Sequence, residues 1–356
     1  MRFRSTLAGI PSYVPGRPPA VRPGVESFKS SSNENPYAPL PHIVEAAERA
    51  VRTMNRYPDM AVTALHSALA DRLGVAVSQV ASGTGSVGLL QQFVQAMCDQ
   101  GDEVIHAWRS FEAYPIVAAV NGARSVPVPL RADASHNLDA MAAAVNPRTR
   151  LVLVCQPNNP TGVAARGDEL SAFLDRIPED VLVVLDEAYV EFITDPAVPD
   201  GLDILRTRPN VAVLRTFSKA YGLAGLRIGY AIAPDEVAAA LRTCAVPFGV
   251  GTVAQAAALA ALEVEDELRA RVARIVEART RVTATLRSQA WAVPDSQANF
   301  VWLALGAQSK DFAAHCEVEG LTVRPYGTDG VRVTVGDERA DERFLALAAE
   351  WRSTHT

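Results

Sequence analysis

One segment decides the fold of this chain: Arg215-Thr216-Phe217-Ser218-Lys219-Ala220-Tyr221-Gly222-Leu223-Ala224-Gly225-Leu226-Arg227-Ile228-Gly229-Tyr230. It follows directly on the apolar run Val211 to Leu214, which predicts a buried strand, and it sets Lys219 just after that strand. Thr216 and Ser218 flank the lysine, and Arg227 follows it. A lysine amine forms an imine with an aldehyde, and hydroxyls together with a guanidinium bind a phosphate. A pyridoxal phosphate (PLP) enzyme requires these groups together, although the segment by itself also fits a strand, a turn and a surface lysine.

Composition and charge narrow the class of protein. The chain has 356 residues, of which 49% are hydrophobic and 21% charged, and this suits a soluble enzyme with one large domain and a smaller one. The net charge of −6 argues against nucleic-acid binding, which needs a basic face. No apolar run has the length of a membrane span, and no signal peptide is recognisable. The scattered cysteines and histidines predict reduced thiols, a cytoplasmic location and no metal site.

The order of predicted elements indicates the fold class. Residues 1 to about 40 are rich in proline and polar groups, which predicts an arm or a loop rather than a helix. Helical patterns then alternate with predicted strands at 103–106, 125–128, 151–154, 181–185, 211–214 and 227–231. Because the central strands are continuously apolar and helices separate them, we expect a mostly parallel α/β sheet. A long helical stretch from about 252 to 290 leads to a smaller α+β segment with strands at 299–303 and 331–335.

One motif favours a different class of enzyme. The glycine-rich loop 83–88 matches the fingerprint of nicotinamide-dependent oxidoreductases, and a helical stretch follows it. However, the strand predicted before it is short (80–82), and the acids at 99–103 lie in a turn before the next strand, not at its end, where a ribose-binding acid belongs. Small residues at a helix N-terminus also bind phosphate through backbone N–H groups. We therefore expect phosphate contacts from Gly85, Ser86 and Val87.

Two further polar clusters follow predicted strands. Residues 155–162 come after one apolar strand and residues 186–189 after the next, and each alone fits a turn or a helix N-terminus. However, Asn159, Asp186 and Lys219 all fall just beyond the predicted C-terminal ends of strands. In an open α/β sheet, ligands bind at this edge. Their shared location favours one common site.

A family resemblance is carried by Pro157-Asn158-Asn159-Pro160-Thr161-Gly162, by Asp186-Glu187-Ala188-Tyr189 and by the lysine segment. These motifs resemble the fold-type I PLP-dependent aminotransferases, and more narrowly the histidinol-phosphate aminotransferase family. Further similar segments lie at 31–36, 55–59, 296–300 and 323–327, so the match covers nearly the whole chain in the same order. Segments 85–87, 108–112 and 324–332 are most similar to the actinobacterial aromatic (phenylalanine) aminotransferase branch. Val87 departs from the aspartate that histidinol-phosphate enzymes usually carry.

The resemblance implies an architecture and an assembly. It implies a large domain with a mostly parallel seven-stranded sheet and a smaller α+β domain. The expected division is an N-terminal arm with part of the small domain at 1–45, a large PLP-binding domain at 46–250, and a linking helix with the small C-terminal domain at 251–356. It also implies a homodimer in which Tyr57 reaches the phosphate of the neighbouring subunit.

The same resemblance implies roles for individual residues. The catalytic group comprises Lys219, which holds PLP and carries the proton, Asp186, which pairs with the pyridine nitrogen, and Tyr189. The cofactor-binding group comprises Gly85, Ser86, Val87, Phe111, Asn159, Asp186, Tyr189, Thr216, Ser218, Lys219, Arg227 and Tyr57, with Phe111 stacking on the ring in preference to Tyr114. The substrate-binding group comprises Arg332, which clamps the carboxylate, Arg324 near the distal part of the substrate, Tyr13 and Asn159. A packing role for Tyr13 and a water-facing strand position for Arg332 are open alternatives.

The expected activity is transamination of aromatic amino acids (phenylalanine, tyrosine, tryptophan) with 2-oxoglutarate as acceptor, giving aromatic 2-oxo acids and glutamate. The expected partners are these small molecules and a second copy of the chain, without nucleic acid or membrane. The nearest alternative is histidinol-phosphate aminotransferase activity in histidine biosynthesis, because contacts worth a few kcal/mol decide such preferences. More distant alternatives are a PLP-dependent lyase and a nicotinamide-dependent oxidoreductase.

Overall fold

The computed structural model describes residues 1, 4, 7, 9–19 and 23–355. Its strands are Phe28–Lys29 (β1), Val80–Gly83 (β2), Glu103–Trp108 (β3), Arg124–Pro129 (β4), Thr149–Cys155 (β5), Leu182–Asp186 (β6), Val211–Thr216 (β7), Gly229–Ile232 (β8), Phe300–Leu303 (β9), Leu321–Thr322 (β10), Arg324–Tyr326 (β11) and Gly330–Thr334 (β12). Its helices are Pro41–Val51 (α1), Thr63–Leu73 (α2), Gly85–Met97 (α3), Ala113–Val120 (α4), Leu138–Ala143 (α5), Gly167–Leu174 (α6), Gly201–Leu205 (α7), Asp235–Cys244 (α8), Thr252–Glu263 (α9), Glu265–Ser288 (α10), Ser309–Val318 (α11) and Glu338–Thr354 (α12).

The central sheet has seven strands in the order β2-β8-β7-β6-β5-β3-β4. The strands pair in parallel from β7 to β4, and β8 is antiparallel to both of its neighbours. Successive side chains pack on opposite faces, since Val183 and Val213 belong to one apolar cluster and Val184 and Leu214 to another. Both faces are therefore covered, which explains the continuous apolar runs and confirms the predicted α/β sheet.

A second, antiparallel sheet is formed by the C-terminal part of the chain. Its order is β11-β12-β9, and it packs with α11, α12 and the end of α10 around a separate apolar cluster. A short parallel pair, β1 with β10, joins Phe28 to Leu321. In the antiparallel ladder, Arg324 lies directly opposite Arg332. The division of the chain at residues 45 and 250 stays a prediction.

Three local features differ from the sequence-based expectation. The long helical stretch is two helices, because Val264 leaves the helical conformation with φ −115° and ψ 31° although no glycine or proline marks the break. The strand expected from residue 227 begins at Gly229, and Arg227 itself has a left-handed backbone with φ 54°. Asp186 is the last residue of β6 rather than a residue beyond the strand. None of these shifts moves the candidate residues away from the sheet edge.

Candidate active site

A cleft of about 470 Å³ opens at the C-terminal ends of three parallel strands. Cys155, Asp186 and Thr216, the last residues of β5, β6 and β7, contribute to its wall. Among the candidates predicted from the sequence, the lining includes Tyr13, Ser86, Val87, Phe111, Asn159, Asp186, Tyr189, Thr216, Ser218, Lys219, Arg227, Arg324 and Arg332. Parallel strands bring these distant segments to one edge, so the sheet topology builds the site.

Lys219 lies three residues after β7, half-buried in the cleft. Its Nζ donates a hydrogen bond to the carbonyl oxygen of Ser32 at 3.1 Å. Burial lowers the pKa of Lys219 to about 7, and the positive charge of Arg332 acts in the same direction. A substantial fraction of this amine is therefore neutral near neutral pH, as a nucleophile or a proton acceptor must be.

Asp186 is buried at the end of β6. Its Oδ2 accepts a hydrogen bond from the hydroxyl of Tyr114 at 2.7 Å, whereas its Oδ1 has no hydrogen-bond partner among the described residues. Burial raises the pKa of Asp186 to about 6, and the bond from Tyr114 acts in the opposite direction. A buried carboxylate oxygen without a partner fits a protonated ring nitrogen in the cleft.

The opposite end of this region suits a phosphate group. The Thr216 hydroxyl donates to the Ser218 hydroxyl at 3.0 Å, beside the N-terminus of α3. Gly85, with φ 76°, opens that helix, and a Cβ built on it would lie 2.6 Å from Nη2 of Arg227. Only glycine therefore lets the guanidinium approach the helix terminus this closely. Helix amides, hydroxyls and a guanidinium together match a phosphate dianion.

Arg332 is buried in β12, with an exposed fraction of 5%, and does not face water. Its Nη1 donates to Oδ1 of Asn159 at 2.5 Å and its Nη2 to the carbonyl oxygen of Ser31 at 2.7 Å. Its Nε has no partner in the described part of the chain. Nearby, the hydroxyl of Tyr189 accepts a hydrogen bond from Asn33 at 2.9 Å. The guanidinium is held in place by neutral groups and retains a donor for an incoming carboxylate.

The outer end of the cleft is formed by aromatic rings and a second arginine. The ring of Phe111 makes edge contacts with the rings of Tyr13 and Tyr114, with ring centroids 6.4 and 5.6 Å apart, respectively. Arg324 forms an ion pair with Glu112, in which Nη2 lies 2.7 Å from Oε2. Tyr13 is half exposed, so one edge of this end is open to solvent.

Tyr57 lies outside this cleft. Its side chain has an exposed fraction of 82% and stacks on Phe248 with ring centroids 4.6 Å apart. It is not among the residues that line the cleft of its own chain. The predicted phosphate contact therefore requires a second copy of the chain.

Several site residues received no role from the sequence. From the sequence Tyr114 is expected only as a less favoured stacking residue, whereas in the structure its hydroxyl donates a hydrogen bond to Asp186. Ser32 and Asn33 belong to a matching motif, yet their bonds to Lys219 and Tyr189 depend on the path of the N-terminal segment. Glu112 belongs to the similar segment 108–112, but the sequence gives no indication that it pairs with Arg324.

Comparison with known proteins decides the family. The model of the family described as aminotransferase class I and II matches residues 27–346. The chain belongs to this family. The aromatic amino acid aminotransferases of Streptomyces avermitilis and Streptomyces coelicolor are similar to it, at 59% and 58% identity over 99% of this chain and 98% of each relative. The crystal structure of histidinol-phosphate aminotransferase from Sinorhizobium meliloti, in complex with pyridoxal-5'-phosphate, superposes with a TM-score of 0.87 at 30% identity, covering 100% of this chain and 98% of that one.

These aminotransferase relatives confirm the predicted family and fold type. The glycine-rich loop has a structural context that differs from a dinucleotide site. The strand before it, β2, pairs antiparallel with β8 at the edge of the sheet, whereas the fingerprint belongs to the first strand of a parallel unit. What remains of that motif is a helix N-terminus beside Arg227, an arrangement suited to an anion.

Proposed function

We propose that this aminotransferase moves the amino group of aromatic amino acids to 2-oxoglutarate and uses PLP as its cofactor. The observation that carries the proposal is that one cleft contains Lys219, with its lowered pKa, and Asp186, with a buried oxygen that has no partner among the described residues. The aromatic donor is supported by the names of the Streptomyces relatives. The PLP in the Sinorhizobium meliloti structure supports the cofactor.

The described residues fit PLP at three places. Asp186 would hold the pyridine nitrogen protonated, and Phe111 would cover one ring face. Asn159 and Tyr189 would contact the ring oxygen. The phosphate group would be held by Gly85, Ser86, Val87, Thr216, Ser218 and Arg227. When bound, PLP supplies the electron-withdrawing ring that stabilises negative charge at the substrate α-carbon.

The chain itself supplies proton transfer and orientation. Lys219 would take the proton from the substrate α-carbon and return it on the cofactor side, and its lowered pKa makes the amine available for this role. Arg332 would bind the substrate carboxylate through its free donor and fix the plane of the group. Arg332 is buried and Lys219 half-buried, so the cleft would limit access of water to the reacting atoms.

The proposal includes an assembly and a location. A homodimer would place the exposed Tyr57 of each copy at the site of the other, and the exposed pair with Phe248 supports such a contact. A cytoplasmic location is supported by the four cysteines, all of which are free thiols. None of the described helices is long and apolar enough to cross a membrane.

The test is a half-reaction on purified, PLP-loaded protein. Phenylalanine or histidinol phosphate is added in excess, and conversion of the visible cofactor absorbance to the pyridoxamine form is followed. We expect faster conversion with phenylalanine. Faster conversion with histidinol phosphate would favour the second candidate, which the Sinorhizobium meliloti relative supports. Borohydride treatment followed by peptide mass analysis is expected to locate the cofactor on Lys219, and a protein without visible absorbance would contradict both functions.

A further inference from the structure

Two arginines form a pair across the strands that line the cleft. Arg324 in β11 lies directly opposite Arg332 in β12, so their side chains project from the same face of the sheet. Their guanidinium carbons lie 5.4 and 5.6 Å from the centre of the Tyr326 ring. Both line the same cleft. Judged by position alone, each of the two guanidiniums could bind an anion in the cleft.

The two guanidiniums differ in how their charge is compensated. Arg332 bonds only to neutral oxygens, and no carboxylate of the described residues forms an ion pair with it. Arg324 bonds to the carboxylate of Glu112 and to the carbonyl oxygens of Val14 and Pro15, at 2.7, 2.5 and 3.1 Å. The donors of Arg324 are therefore engaged by an acid and by the N-terminal arm, whereas Arg332 keeps its positive charge and a free donor.

We propose that Glu112 is a specificity residue that neutralises Arg324 and thereby selects substrates with an uncharged distal ring over substrates with a distal phosphate or carboxylate. This inference rests on the proposed aminotransferase function, and it concerns the part of the substrate far from the amino group. The α-carboxylate would bind Arg332, and the distal group would meet the pair of Arg324 with Glu112.

Electrostatics gives the direction of the effect. A distal anion on the substrate has to share Arg324 with the Glu112 carboxylate or displace that carboxylate. Two negative charges next to the same guanidinium repel each other. An aromatic ring carries no such penalty and meets the rings of Tyr13, Phe111 and Tyr326 at the same end. The Glu112 side chain retains 27% of its exposure, so it can turn outward, and a distal anion is disfavoured rather than excluded.

The test replaces Glu112 by an uncharged residue of the same shape. In Glu112→Gln, we expect the ratio of kcat/KM for glutamate over phenylalanine to rise roughly tenfold, because a cation without a carboxylate partner attracts the distal carboxylate of glutamate. The acceptor half-reaction should shift in the same direction, with 2-oxoglutarate gaining over phenylpyruvate. Inhibition of the phenylalanine reaction by inorganic phosphate should also become stronger.

The neighbouring ion pair of Arg109 with Asp329, at 2.6 Å, provides the matched control. Asp329→Asn makes the same change in net charge close to the cleft, but neither residue of that pair lines it. We expect its substrate ratio to stay at the wild-type value. An equal rise in Asp329→Asn would assign the effect to overall charge and overturn the role of Glu112.

The remaining outcomes are also decisive. An unchanged ratio in folded Glu112→Gln contradicts the inference, and Glu112→Ala carries the same expectation if the glutamine variant does not fold. A wild-type protein that converts neither donor would instead contradict the proposed function. Inhibition by inorganic phosphate, measured on the reaction with any donor that the protein does convert, separates these two failures.

Discussion

The inner end of the cleft, at Lys219 and Asp186, and its outer end, at Arg324 and Glu112, differ in how their charged groups are compensated. At the inner end, half-buried Lys219 and buried Asp186 have no ion-pair partner in the described chain, and desolvation moves the pKa of each toward neutrality. At the outer end, Arg324 and Glu112 form an ion pair at 2.7 Å beside an exposed arm. The proposed proton carrier and its supporting carboxylate therefore lie toward the protein interior, and the pair proposed to choose among substrates lies closer to solvent.

Lys219→Ala should have the largest effect, because it removes the amine that we propose moves the proton. We expect turnover with phenylalanine to fall by orders of magnitude while the protein stays folded. Lys29→Ala is the matched control, since Lys29 also lines the cleft but pairs with Glu34 at 2.9 Å. Turnover is measured as glutamate formation. Near-normal activity in Lys219→Ala would show that the inner end does not depend on this lysine.

Arg332→Ala should have the next largest effect, and it tests binding of the substrate carboxylate. We expect KM for phenylalanine and 2-oxoglutarate to rise about 10- to 100-fold, since the carboxylate loses a charged donor. The fall in kcat at saturating substrate should be much smaller than the rise in KM. Steady-state kinetics of both substrates checks this. A loss confined to kcat, with KM unchanged for both substrates, would contradict the role of Arg332 in carboxylate binding.

Tyr114→Phe tests whether the hydrogen bond from the Tyr114 hydroxyl keeps Asp186 ionised. Removing the hydrogen bond that lowers the pKa of Asp186 should raise that pKa further, so the carboxylate is lost at a higher pH on acidification. We expect the acid limb of the pH profile of kcat/KM to move to higher pH, with about a tenfold loss at pH 6. Tyr37→Phe, away from the cleft, is the control. A pH profile with an unchanged acid limb would contradict the role of Tyr114 as a positioning residue for Asp186.

The pKa of Lys219 predicts how the cofactor-free protein captures PLP. A group with a pKa of about 7 is about one-tenth neutral at pH 6 and about nine-tenths neutral at pH 8. Because only the neutral amine attacks the aldehyde, PLP capture should be about tenfold faster at pH 8 than at pH 6, and its rate should level off above pH 8. Stopped-flow absorbance after mixing with PLP measures this rate. A rate that keeps rising toward pH 10 would indicate an ordinary lysine pKa.

The sequence predicted the inner end of the site better than the outer end. Asn159, Asp186 and Lys219 each follow an apolar strand, so a parallel sheet brings them to one edge whatever the order of its strands. The roles of Tyr114 and Glu112 depend on how α4 packs against the sheet and on where the N-terminal arm passes. Such contacts between distant segments leave no periodic pattern in the sequence, and the break at Val264 leaves none either.

The path of the N-terminal segment has a consequence for synthesis of the protein. Asn33 bonds through its backbone N–H and its side chain to Thr334, and the carbonyl oxygen of Ser31, two residues earlier, holds Arg332. Residues 31–33 are therefore translated long before their partners at 332–334, and the proposed carboxylate pocket can form only when both segments are present. A ribosome-bound chain that stops after β8 carries Lys219 and Asp186 but lacks Arg332, so that pocket would be completed only when β12 has left the exit tunnel.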